Sequence, residues 1–462
     1  MSQGARARRV LAIACNFPPD ASVGTMRTLR LVRHLVDEGW AVDVVTVSPE
    51  GFRPGTVTDS ALLAKVPVAV EVLRATPLRP IERLTALLKP RKGTSAAPAT
   101  APAPRAAAAA APGRSGPVAP GGLSMLRRAI TAALTLPDRE ISWLAPAVWA
   151  GWRRARRQRP DVIYSSGPPF TAHLVGFLLS RLTGTRWVAD FRDPWARAPW
   201  REDRFSFERG AWAIFERFVV TRAHAIVFAT ATNRNDFARE YGPAVAARFL
   251  VVPNGCDASE FGGLAPSADN GDERFVLLHA GSLYGARNPA GLFRALAAAV
   301  ASGGLDESTF RLRFLGRIGI PGVDLSAVAH DLGLGHIVEF VNHVPRRASL
   351  QQMLDASALL IVQPVTTVSI PAKLYEYMAA GRPILALAEP GGETAALVED
   401  SRAGITVLAE DEAAIAAGLV ALVRLAREGF VPVDRGVYDG NVRAAELRSV
   451  LERVADGSGA AG

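Results

Sequence analysis

Cysteine, clustered histidine and long apolar runs are what this 462-residue sequence does without. Its two cysteines, Cys15 and Cys256, stand outside any C-x-x-C or Cys/His cluster. Neither a disulfide framework nor a zinc site is indicated, and each reads as a small buried apolar residue. The seven histidines form no group with metal-ligand spacing, so no metal and no cofactor are expected. No run approaches the roughly 18 to 20 apolar residues that a membrane span requires. The basic start MSQGARARRV leads only into VLAIAC before polar NFPPD, so no signal peptide is expected and the cytoplasm is the default location. The loop after the first strand carries Gly24 but no G-x-G-x-x-G, which argues against a dinucleotide-dependent dehydrogenase. The absence of G-x-x-x-x-G-K-[ST], G-x-S-x-G and H-E-x-x-H removes P-loop NTPases, elbow hydrolases and zinc peptidases from the field.

What is present suits a globular protein: 49% hydrophobic and 21% charged residues, in a chain too long for one comfortable core. The net charge of +9 conceals an asymmetry. Residues 1–250 carry 36 Lys and Arg against 19 Asp and Glu, whereas residues 251–462 carry 17 against 25. A basic half faces nucleic acid, anionic lipid or a phosphorylated substrate, although an Arg- and Ala-rich composition accounts for part of the excess.

Hydrophobic patterning alternates between strand and helix. VLAIACN, the loop FPPDASVGT, the helical MRTLRLVRHLVDEG and the strand AVDVVTVS make a βαβ unit. Further strands are expected at Asp161–Ser165, Arg186–Asp190 and Ala225–Ala229, with helices at Thr171–Leu182 and Phe205–Thr221 between them. After VVPNGCD the alternation restarts. Strands are expected at Phe275–Ala280, Phe310–Gly316, Val338–Asn342, Ala358–Gln363 and Pro383–Ala388, and helices at 289–302, 324–333, 346–356, 370–380 and 411–427. The fold class is therefore α/β, with two doubly wound parallel-sheet lobes facing a central cleft. The first lobe is interrupted by residues 93–122, almost wholly Ala, Pro, Gly and Ser, which read as a disordered insertion.

Four stretches carry chemistry. "FPPDASVGTMR" is a strand-to-helix loop in which Gly24 lets a phosphate approach the backbone. "DFRDPW" puts Asp190, Arg192 and Asp193 at a strand end, suiting a site and a structural Arg–Asp pair about equally. "HAGSLYGARNPAGLFRAL" offers Arg287 beside helix-start amides, a setting for a diphosphate. "SIPAKLYEYMAAGRPILA" poses a choice. Lys373 and Glu376 are either a solvated pair three residues apart, or a cation and a carboxylate facing an anion and hydroxyls at a helix start.

Taken in this order, the four stretches resemble those of a retaining GT-B glycosyltransferase, family 4 or group 1, and most nearly bacterial enzymes of O-antigen, capsule and exopolysaccharide assembly. The resemblance covers most of the chain outside 51–150. It implies an N-terminal acceptor lobe over 1–250 and a donor lobe over 251–430. Residues 431–462 would be a helix returning to the first lobe, with a flexible tail. The family's diphosphate-holding Arg and Lys, five residues apart, fall on Ser282 and Arg287, so one cation is replaced by a hydroxyl. The later of its two glutamates, which binds ribose, falls on Glu376; the earlier falls on Val368. Lys373 and the amides of Ala372 to Leu374 then stand in around phosphates and sugar. Arg287 is expected to stabilise the leaving group without metal, and Asp193 to orient the acceptor. Asp190, Arg192 and Ser166, with its neighbours Ser165 and Gly167, are candidates on the acceptor side. His173 reads as a helix residue.

The resemblance implies a nucleotide sugar and a lipid-linked or other glycan acceptor as partners, in cell-surface polysaccharide synthesis. A sugar-nucleotide epimerase or hydrolase of the same fold is the second enzymatic reading. The stretch "WAGWRRARRQR", with Trp149 and Trp152, suits a peripheral helix on an anionic membrane, a solvated basic helix, or less well nucleic acid, for which no signature accompanies it.

Overall fold

The structure is a computed structural model that describes residues 6–78, 130–199, 205–267, 274–285, 287–342 and 344–457. The Ala/Pro segment 93–122 and the tail after Gly457 lie outside the described residues.

Seven strands build the first sheet: β1 (Arg9–Ala14), β2 (Ala41–Val47), β3 (Glu71–Ala75), β4 (Val162–Gly167), β5 (Arg186–Phe191), β6 (Ala225–Phe228) and β7 (Phe249–Val251). They lie in the order β3-β2-β1-β4-β5-β6-β7, all parallel. Parallel strands are covered on both faces, and alternate side chains feed opposite cores. Leu11 and Ile13 join Trp187 and Phe191 on one face, while Val10 and Ala12 join Leu29 and Tyr164 on the other.

The second sheet contains β8 (Phe275–Ala280), β10 (Phe310–Leu315), β12 (Val338–Val341), β13 (Ala358–Gln363), β14 (Ile384–Ala388) and β15 (Gly404–Val407). Their order is β12-β10-β8-β13-β14-β15, again parallel. A small ladder pairs β9 (Leu283–Tyr284) with β11 (Ile318–Gly319) above the ends of β8 and β10. Each sheet reverses its winding once, between β1 and β4 and between β8 and β13. At such reversals the loops after adjacent strands part and leave a crevice.

The expected strands of the second lobe are observed within one residue at each end. The sequence pattern did not reveal β3, β7, β15 or the helix Glu393–Asp400. These are short elements, and β15 is only half buried, so no sustained apolar run announces it.

The final helix, Gly440–Asp456, leaves the second lobe and packs on the first. Leu447, Val450, Leu451 and Val454 enter the core beside Val10 and Leu29, each burial contributing on the order of 2 kcal/mol. Arg186 donates to the carbonyls of Val454 and Ala455, satisfying the helix end. The chain therefore passes between lobes twice, at residues 252–257 and 438–440. The passes run side by side: Cys256 N–H donates to Tyr438 O at 2.9 Å and Gly440 N–H to Cys256 O at 2.7 Å.

Candidate functional site

The C-terminal ends of β8 and β13 flank the second lobe's crevice. Arg287, from the loop after β8, reaches across it and donates from Nη2 to Gln363 Oε1 at 2.7 Å, at the end of β13. Ser282, in the same loop, is exposed. Gly316 (φ 137°) holds the neighbouring loop against this one, because a Cβ there would collide with the Gly281 carbonyl. After β13, Val365 has φ 67°, rare for a β-branched residue, and lies in the loop that leads to the helix Ala372–Ala380.

That helix is fixed by its buried face. Leu374, Tyr375, Tyr377 and Met378 are enclosed. The Tyr377 hydroxyl accepts from Ala280 N–H at 2.7 Å and donates to its carbonyl at 3.3 Å, pinning the helix to the end of β8. Gly381 closes it in the left-handed conformation. No side chain caps its start, where Lys373 sits. Of the amides assigned to ligand binding, that of Leu374 is engaged, donating to Pro371 O at 2.9 Å. Those of Ala372 and Lys373 have no hydrogen-bond partner among the described residues, as at any uncapped helix start.

Lys373 and Glu376 are paired, Nζ to Oε2 at 2.9 Å, but the pair is not a solvated surface feature. The Glu376 side chain is 14% exposed, and Arg346 Nη1 binds the same oxygen at 3.0 Å. Burial pushes the Glu376 carboxyl upward, yet Lys373 and Arg346 outweigh it and hold the pKa below the ordinary range. Arg346 also binds Glu260 Oε2 through Nη2 at 2.7 Å, and Lys65 of the first lobe reaches Glu260 Oε1 at 2.6 Å. An ionic chain thus runs from one lobe to Glu376. Elsewhere the lobes meet where Thr230 Oγ1 donates to Val368 O at 2.8 Å.

On the first lobe the candidates separate. Asp190 is fully buried: Arg27 donates to both its oxygens at 2.9 Å, and Tyr164 and Ser166 donate to Oδ2. Despite burial, Arg27 holds its pKa low. Arg27 also donates to Val252 O, Pro253 O and Asn254 Oδ1. Asp190 and Ser166 are thus an internal brace that locks the first interlobe pass, and no acceptor reaches them. The Arg192 guanidinium lies on Gly24, where any Cβ would overlap it, and donates to Gly167 O and Pro168 O. The space over Gly24 is filled by this cation. Asp193 is half-buried, and among the described residues nothing donates to its carboxylate. Burial raises its pKa, with Arg192 opposing. The DPW backbone below it is held by Glu216, which accepts from Ala196 N–H at 2.8 Å.

His173 is enclosed in its helix, as expected. Its Nδ1 meets Ser165 Oγ at 2.8 Å, its ring stacks on Phe191, and burial pushes its pKa down to about 3. Sequence reasoning missed Arg346, Gln363 and His279. Only His279 left a signal, as a titratable residue inside the apolar run FVLLHAG. Among the described residues no three of His, Cys, Asp and Glu stand close enough to hold a metal ion.

Two parallel-sheet lobes joined by a double crossing, with cations and helix-start amides at one strand-end crevice, define the GT-B class of glycosyltransferase fold. Two family models match: "Glycosyl transferase 4-like domain" over residues 24–255 and "Glycosyl transferases group 1" over 274–424. The chain belongs to the group 1 glycosyltransferases. Among curated proteins none matches it by sequence.

Solved structures share the fold at low identity. Sucrose-phosphate synthase from Thermosynechococcus elongatus has a TM-score of 0.61 at 14% identity, covering 98% of this chain and 100% of the other. Anabaena HepE in complex with UDP-glucose has 0.54 at 14%, covering 97% and 98%. A UDP-N-acetylglucosamine 2-epimerase (putative in its description) from Listeria monocytogenes has 0.55 at 12%, covering 98% of each.

Proposed function

We propose that the protein transfers a sugar from a nucleotide-sugar donor to a glycan acceptor, with retention of anomeric configuration. One observation carries the reading: Arg287, Lys373, two helix-start amides and the low-pKa carboxylate of Glu376 stand together at the β8/β13 crevice. Cations and amides suit a diphosphate, and a held carboxylate suits ribose hydroxyls. The HepE structure, with UDP-glucose bound in the same fold, supports this choice of ligand.

In this mechanism the bond from the anomeric carbon to the diphosphate oxygen breaks as the acceptor oxygen forms its bond on the same face, and the acceptor's proton passes to the departing diphosphate. Arg287 and Lys373 receive the charge that develops on the leaving diphosphate. Asp193, across the cleft on the first lobe, orients the acceptor hydroxyl. Ser282 supplies no charge, so Lys373 takes the place of the second diphosphate cation.

The acceptor is proposed to be lipid-linked, with the first lobe resting on an anionic membrane surface from the cytoplasmic side, as part of cell-surface polysaccharide assembly. Among the described residues no helix is long and apolar enough to cross a membrane. The helix Leu144–Arg157 presents Trp149, 58% exposed, with Arg153 over its ring and Arg156 over that of Trp152. Trp152 packs against the core and Arg154 is bound by Asp43 and Glu71, so Trp149, Arg153 and Arg156 are the groups offered to a surface.

The test is thermal unfolding against a panel of nucleotide sugars, since a ligand bound only by the folded state raises the midpoint by mass action. Stabilisation by at least one nucleotide sugar, followed by transfer to a lipid-linked glycan, is expected. Turnover of the donor with no acceptor present would instead favour an epimerase or hydrolase.

A further inference from the structure

The imidazole of His279 stands at the donor crevice, and the proposed mechanism leaves it unused. It is 6% exposed, at the C-terminal end of β8. Its Nδ1 lies 2.9 Å from the Leu360 carbonyl on β13. A carbonyl only accepts, so Nδ1 carries the hydrogen, and in the neutral ring Nε2 is a bare lone pair. Burial, with Arg287 and Lys373 nearby, depresses the pKa to about 4 and keeps the ring neutral near pH 7. Among the described residues Nε2 has no hydrogen-bond partner. A buried acceptor left unpaired is costly, and such atoms call for an explanation.

The space in front of this nitrogen is defined by Gly281. A Cβ built on Gly281 would lie 3.5 Å from His279 Nε2 and 4.0 Å from Lys373 Cγ, and beyond the glycine's own chain neighbours no other described atom comes within 4 Å. The glycine thus leaves room for one small group, closed to bulk solvent, with the imidazole lone pair on one side and the Lys373 stem on the other.

We propose that His279 reads a hydroxyl of the donor's sugar, accepting its O–H at Nε2 in the space over Gly281. This rests on the nucleotide-sugar reading above. Phosphate oxygens have no hydrogen to give a lone pair near neutral pH, and the ribose hydroxyls belong to Glu376. The sugar next to the diphosphate is the remaining part of the donor that carries O–H groups. His279 is accordingly a specificity-determining residue, which discriminates between sugars by whether a hydroxyl points at Nε2.

The experiment titrates the full chain calorimetrically with UDP and GDP, and with UDP-glucose, UDP-galactose, UDP-N-acetylglucosamine and GDP-mannose. It is repeated with His279→Asn, whose amide keeps an N–H for the Leu360 carbonyl and removes Nε2. The expected result is unchanged affinity for the nucleoside diphosphate and a roughly tenfold loss for the preferred nucleotide sugar. A monodeoxy analogue lacking the hydroxyl that is read is expected to bind both proteins equally. Equal losses for diphosphate and nucleotide sugar, or no loss for either, overturn the inference alone. If the wild type binds none of the nucleotide sugars, the functional reading fails and this inference with it. Should the Asn variant not unfold cooperatively, the imidazole ¹⁵N signal of wild-type His279 decides. A shift at Nε2 with the nucleotide sugar but not with UDP supports the proposal, and the same response to both overturns it.

Discussion

The guanidinium of Arg346 stands 3.0 Å from the Glu376 carboxylate and shares its Oε2 with Lys373. Two cations therefore hold one oxygen of a largely buried acid ionised, and the proposed function assigns Oε1 to incoming hydroxyls. Glu376→Ala is expected to cost on the order of 2 kcal/mol, roughly thirtyfold, in nucleotide affinity by calorimetry. Arg346→Met removes one of the two opponents of burial, so the Glu376 pKa rises. Nucleotide binding should then fail at a higher pH on acidification than in the wild type. An unaltered pH dependence would mean that Lys373 alone suffices.

In the proposed mechanism Arg287 acts on charge that appears only as the diphosphate departs. Removing one such preorganised donor costs about a hundredfold or more in other acyl and group transfers. Arg287→Met is expected to lower kcat by that order, measured as release of nucleoside diphosphate. A fall in affinity with kcat intact would make it a binding residue only.

Asp193 combines a half-buried carboxylate with a raised pKa and no donor among the described residues. A raised folded pKa means that its stability contribution is greatest below the unfolded value of about 3.9 and is lost as pH rises through the folded one. Asp193→Asn should therefore match or exceed the wild type in urea stability at pH 7, with the difference vanishing below about pH 4. Transfer to the acceptor is expected to drop while nucleotide affinity is kept. Lost nucleotide binding would place Asp193 in a different role.

The Arg27–Asp190 pair predicts the opposite pattern. Here the folded pKa is depressed, so its contribution is present above about pH 3.9 and lost as pH falls through the folded value. Arg27→Met strands a buried carboxylate and is expected to cost about 3–5 kcal/mol, read as the unfolding midpoint in urea. Stability close to the wild type would show that Asp190 is less enclosed than the hydrogen bonds indicate.

For the membrane surface, Trp149→Ala is expected to remove much of the protein's binding to anionic liposomes at low salt. Trp152→Ala should act mainly through stability, because that ring packs on the core. Indifference to both neutral and anionic liposomes would point to a soluble acceptor.

The fold was legible because buried parallel strands are unbroken apolar runs, and β8 and β13 fall where the sequence places them. The places of Arg287 and Lys373, in a strand-end loop and at a helix start, were legible too. What the sequence hid depends on contacts between distant segments. Asp190 looks like a site residue until Arg27, 163 positions away, is seen to occupy both its oxygens. Arg346 lies 30 residues before Glu376, on a helix with no motif, and Leu374 reveals its engaged amide only through the turn at Pro371. The absence of charge at Ser282 was visible, but not that His279 and Gln363 stand around the same crevice.

The paired passes between the lobes set what the two halves are able to do. Cys256 and Gly440 are stitched backbone to backbone, and Arg27 ties the strand just before them to the first lobe. Gly255 and Gly440 lie so close that a Cβ on either would strike the other pass. Sliding the two passes along each other would shear these bonds, so the seam fixes the register of the two passes. It thereby joins the lobe that carries Asp193 to the lobe that carries Arg287. A methyl group at Gly255 would strike the Gly440 backbone and push the two passes apart, loosening the join between the lobes.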